Sequence, residues 1–198
     1  MTSVTEPDSA EQRCQAAKHP VSVAAGPHGQ PFHALLASIP FGAWVISFAF
    51  DLAAHFAHEE VVYSRAAFWL IGIGIVMAIP AGVTGTLDLL NVARDTQAFR
   101  TGITHMVMND IILVAFVISF LLRRGTPSTQ AAELPLMALS VAALALLAAS
   151  GWLGVRLTYR YGVRVVDEAT QAEGFQLLTP TADAVPAEAD DTEVEAAP

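Results

Sequence analysis

The chain has 198 residues, of which 54% are apolar and 15% charged, with a mean hydropathy of +0.48. Soluble domains carry roughly 25% charged residues, so this composition belongs to a membrane protein and excludes an ordinary soluble enzyme. The formal net charge of −9 is concentrated at one end: nine of the 19 acids follow Arg164 and no base does, which leaves ten acids against ten bases in the body. With no basic patch there is no footprint for nucleic acid. The single Cys14 excludes an intramolecular disulfide and every multi-cysteine metal or iron–sulfur site.

Residues 1–30 are polar and Ala/Ser-rich and lack the apolar core of a cleaved signal peptide; they read as a disordered cytoplasmic arm. Four apolar runs follow, each about long enough to cross a bilayer: Phe32 to about Phe56, Ala66 to about Leu90, Ile103–Leu122, and Leu134 to about Tyr159. Their short connections predict an all-α fold, a four-helix transmembrane bundle over residues 31–162 with antiparallel neighbours. From residue 163 the chain turns polar and runs into an acidic Ala/Pro tail that cannot bury enough surface to fold.

Arg13, Lys18, Arg94, Arg100, Arg156, Arg160 and Arg164 fall on one side of this topology, and Arg65, Arg123 and Arg124 on the other. Seven bases against three place both termini in the cytoplasm by the positive-inside rule. In the second helix Gly74, Ala78 and Gly82 form a four-residue stripe with Gly85 close by, the pattern that lets another helix or a flat cofactor approach the backbone. Pro40 and Pro80 lie inside the first and second helices and are expected to kink or loosen a turn.

Ionisable groups inside a bilayer are costly and need a partner or a function. His33 and Asp51 are 18 residues apart, as are His105 and Arg123, so each pair shares one helix face across five turns. The first and third helices run in the same direction. If these stripes face each other, Asp51 meets Arg123 near the outer surface as a structural ion pair, and His33 meets His105 near the inner one. The returning second helix brings Asp88 to that inner level, and Asn109 lies one turn beyond His105. An inner cluster of His33, Asp88, His105 and Asn109, roofed by Gly82 and Gly85, is therefore expected.

Three readings of that cluster stay open. Asp88 accepts hydrogen bonds from both imidazoles and pins the bundle, with no cofactor. Alternatively, His33 and His105 ligate haem b or a metal, with Asp88 fixing a ring tautomer, for membrane redox with a redox-protein partner. In the third, the cluster relays protons or carries an ion. A weaker metal candidate is the trio His55, His58 and Glu59, which would share one face if the first helix continued through them. Asp110, two turns inside the third helix and about 140° from His105, is left either facing the fourth helix or protonated. No nucleophile elbow, phosphate-binding glycine loop or dinucleotide fingerprint is present, so no catalytic residue is assigned.

The runs HALLASIPFGAWVISFAFDLA, AAFWLIGIGIVMAIPAGVTGTLDLL, FRTGITHMVMN and SGWLGVRLTYRYGVRV, with the closing VRVVDEATQAEGF, resemble bacterial membrane proteins of the domain of unknown function 2231 family over about residues 27–175. The resemblance implies a four-helix protein of the bacterial cytoplasmic membrane and brings no established activity. By it, motif positions fall on His33, Pro40, Asp51, Gly85, Asp88, His105, Asn109, Gly151, Trp152, Gly154, Tyr159 and Gly162. The chain departs from that pattern at Gln30, Val155, Tyr161 and Asp110, which leaves one bis-histidine pair at most. The expected partners are the lipid bilayer, a redox protein and a second copy of the chain.

Overall fold

The computed structural model describes residues 12, 16–19, 22–26, 30–125 and 131–165. Four helices account for most of them: α1 (Phe32–Phe56), α2 (Glu60–Leu89), α3 (Gln97–Gly125) and α4 (Leu134–Tyr159). There is no strand among the described residues. All four helices are long and apolar enough to cross a membrane. α1 packs on α2, α2 on α3, α3 on α4 and α4 back on α1, closing a four-helix ring.

α1 and α4 keep the limits expected from hydropathy, whereas α2 begins at Glu60 and α3 at Gln97, both earlier than their apolar runs. Nothing in EVVYSR or QAFRTG breaks a helix, so the polar ends extend the rods beyond the apolar length. Pro135 sits in the first turn of α4, where its missing N–H has no intrahelical acceptor to lose. Pro40 and Pro80 lie within α1 and α2, and both helices run through them. α4 is closed by Gly162, whose φ of 66° is left-handed. There Gly162 N–H reaches Thr158 O at 3.1 Å and Val163 N–H reaches Leu157 O at 3.1 Å, satisfying late helix carbonyls.

The core takes a residue from every helix: Trp44, Ile71, Ile112, Phe116, Ala143 and Leu147. Trp44 stacks on Phe116 with centroids 4.4 Å apart and planes at 12°, and its Nε1–H points to Ile71 O at 3.4 Å. The indole lies against Gly74, where a Cβ would collide with it. That explains one glycine of the expected stripe; Gly82 has open space around it and is exposed.

Burial is inverted relative to a soluble protein. Ser47, Ser119, Ser140 and Ser150 are buried, while Phe41, Trp69, Val76, Ile79, Val114 and Leu121 face outward. Such a distribution is stable when the surrounding solvent is as apolar as the side chains, because small residues then pack inward and let the helices approach closely.

A second, smaller core closes the end of the bundle nearest His33. Ala17, Val92 and Val163 are buried there against Leu89, Phe99 and Tyr161. Asn91 Nδ2–H donates to His19 O at 2.8 Å, and Arg164 N–H to Ala17 O at 3.0 Å. Residues 16–19 of the expected arm, and 163–165 of the expected tail, thus carry contacts to the helices. The rest of the tail lies outside the described residues.

Candidate functional site

The two polar stripes meet as their spacing requires. At one end of the bundle, the outer one in the expected orientation, Arg123 Nη1 and Nη2 donate to Asp51 Oδ1 and Oδ2 at 2.7 and 2.6 Å, and its Nε–H to Ser119 Oγ at 3.2 Å. Asp51 is 0% and Arg123 8% exposed. The parallel fork satisfies both carboxylate oxygens, which is what makes such a pair tolerable in an apolar interior.

At the inner end the imidazoles of His33 and His105 stand with centroids 6.3 Å apart and planes at 88°. Each is held from outside the pair. His33 Nδ1 lies 2.7 Å from Ala81 O of α2, and His105 Nδ1 lies 2.8 Å from Ser150 O of α4. A carbonyl only accepts, so each ring places a proton on Nδ1, which in a neutral imidazole leaves the lone pair on Nε2. Asn109 lies beneath His105, its Nδ2 2.8 Å from both Ser150 Oγ and His105 O and 3.2 Å from His105 Nε2. Gly85 and Gly154 give the rings room. A Cβ on Gly85 would stand 2.7 Å from His33 Nδ1, and one on Gly154 3.3 Å from His105 Cε1.

Asp88 is placed differently from the expectation that it receives both imidazoles. Its Oδ1 lies 3.3 Å from Arg164 Nε, with both side chains at least nine-tenths buried, while the histidine Nδ1 protons go to backbone carbonyls. A carbonyl one helix away is closer to each ring, and the turn at Gly162 swings Arg164 over the bundle end to meet the carboxylate. Arg164 itself has a left-handed φ of 61° and donates from Nη2 to Gln30 O at 2.6 Å, tying the entry of α1 to the exit of α4. Gly85 roofs the cluster as expected and Gly82 does not.

The His55, His58 and Glu59 trio shares no helix face, because α1 ends at Phe56; His55 Nδ1 is 2.9 Å from Asp51 O within the helix. No group of three or more His, Cys, Asp or Glu among the described residues could hold a metal ion. Asp110 is exposed on α3. Sequence reasoning does not reach Ser150 or the approach of Arg164 to Asp88. A serine in an Ala/Leu-rich helix carries no distinguishing pattern, whereas Gly162 is a visible helix terminator and the one signal for a returning Arg164.

Four apolar helices, polar side chains turned inward and paired charges sealed at both ends define a multi-pass membrane protein. A family model described as "Predicted membrane protein (DUF2231)" matches residues 29–167, and the chain belongs to that family. No curated protein and no solved structure matches it.

Proposed function

We propose that His33 and His105 would hold a haem b, or a metal ion, in a membrane protein that passes electrons without catalysing a reaction of its own. The observation that carries this reading is the pair of Nδ1–carbonyl hydrogen bonds. They orient two imidazoles from different helices and leave both Nε2 lone pairs as donors, the arrangement in which a metal-ligating histidine is held. Two protein ligands leave a tetrahedral ion two donors short, whereas a porphyrin supplies its own four nitrogens, so haem suits the donor set better. Asn109 would give up its contact with His105 Nε2 on binding and keep those with Ser150 Oγ and His105 O. Haem would supply reversible one-electron chemistry; the protein positions and insulates it.

The count of seven bases against three supports a bacterial cytoplasmic membrane with both termini inside. The site would then lie near the cytoplasmic face, within reach of a soluble redox partner.

A second reading rests on the same hydrogen bonds. His33 staples α1 to α2 and His105 staples α3 to α4, which locks a bundle with no cofactor. Haem and metal analysis of protein purified from haem-replete cells separates the two. About one haem per chain, lost in His33→Ala, supports the redox site; metal-free, colourless protein leaves the staple.

A further inference from the structure

Hydroxyls on the outside of these helices are satisfied by their own backbone at four positions: Ser38 donates to Leu35 O, Thr86 to Gly82 O, Thr101 to Gln97 O and Thr104 to Arg100 O. Asp110 differs from them. It is exposed and has no hydrogen bond or ion pair among the described residues. It stands seven residues from Ile103 and twelve from Leu122, the ends of the apolar run of α3, so it lies about 10 Å from one end of that run and about 18 Å from the other. Its side chain is too short to reach headgroups from there, and an unpartnered carboxyl facing lipid is costly.

The surrounding face of α3 is smooth and apolar. Val107 and Val114 lie one turn to either side of Asp110, with Ile111 and Ile118 beside them, all exposed. Apolar surface alone gives helices little reason to associate in lipid, because acyl chains are equally apolar; polar side chains supply the drive. We infer that this face of α3 is a homodimer interface in which Asp110 of two copies of the chain meet. A two-fold axis along the membrane normal brings the same residue of both copies to the same depth. Facing each other across that axis, two carboxyl groups can hydrogen-bond one another as a carboxylic-acid pair does, so each finds its partner in the other. A foreign partner would need its own donor at that depth; the second copy has one by symmetry.

The test is disulfide cross-linking in native membranes, using the full chain with Cys14→Ser and one added cysteine. Val107→Cys and Val114→Cys are expected to give a band at twice the chain's mass, and Val141→Cys, exposed on α4, is expected to give none. In lipid vesicles, Asp110→Leu weakens self-association measured by energy transfer by about 3- to 30-fold, while Asp110→Asn, which still donates and accepts, retains most of it. Asp110→Leu makes the exposed face more apolar and does not threaten folding. No cross-linked band, an equal band from Val141→Cys, a band at another mass that betrays a different partner, or an unchanged Asp110→Leu dimer each overturns the inference.

Discussion

Arg123 crosses the bundle to grip Asp51 at two points, and this contact sets the height at which the histidines meet. Asp51 lies 18 residues above His33 and Arg123 lies 18 above His105. Fixing one pair at 2.6–2.7 Å therefore levels the other pair five turns away, provided both helices are continuous, as they are. The outer ion pair is a register pin for the inner site.

Removing one charge of that pin strands the other in a buried setting, at a cost of about 3–5 kcal/mol. Asp51→Asn should lower the unfolding midpoint in a detergent denaturation titration, and neutralising Arg123 as well should recover much of the loss. Equal damage from the single and double variants would mean that the pair does not act as a unit.

The inner ion pair should matter less. Arg164 approaches Asp88 only to 3.3 Å and Asp88 Oδ1 makes no hydrogen bond among the described residues. Asp88→Asn is accordingly expected to shift the same midpoint by less than Asp51→Asn, by about 1–3 kcal/mol for the charge left on Arg164. An effect equal to that of Asp51→Asn would show that the 3.3 Å geometry understates the pairing.

The glycines beside the imidazoles make a graded prediction. An alanine Cβ at Gly85 would press on His33 Nδ1 at 2.7 Å, whereas one at Gly154 would meet His105 Cε1 at 3.3 Å. Gly85→Ala must displace the ring from Ala81 O and should abolish cofactor content; Gly154→Ala should reduce it only partly. Comparing haem per chain in the two variants checks the order, and the reverse order would contradict the orientation given to His33.

Much of this arrangement is legible in the residues alone. Charge in an apolar run is costly and a continuous helix keeps its period over five turns, so spacing alone pairs Asp51 with Arg123 and His33 with His105. What stays hidden has physical causes too. Hydropathy sees only the apolar length of a helix, so it misses the polar beginnings of α2 at Glu60 and α3 at Gln97. The His55 and His58 spacing has meaning only on a continuous helix, and α1 ends at Phe56 between them. Asp88 falls to the imidazoles only when side chains are matched with side chains alone. Backbone carbonyls at Ala81 and Ser150 are the nearer acceptors, and they leave no trace in a sequence.

The proposed orientation can be checked through Cys14, the only cysteine in the chain. A membrane-impermeant maleimide should label it in inside-out vesicles and leave it unlabelled in intact cells until they are permeabilised. Labelling of intact cells would invert the assignment based on the basic residues.

The most direct test of the central claim is a reduced-minus-oxidised visible spectrum of the purified full-length protein from haem-replete cells. The account predicts a Soret band and a sharp α-band for wild type, both lost in His33→Ala and in His105→Ala. A flat difference spectrum, or bands that survive both substitutions, would contradict it.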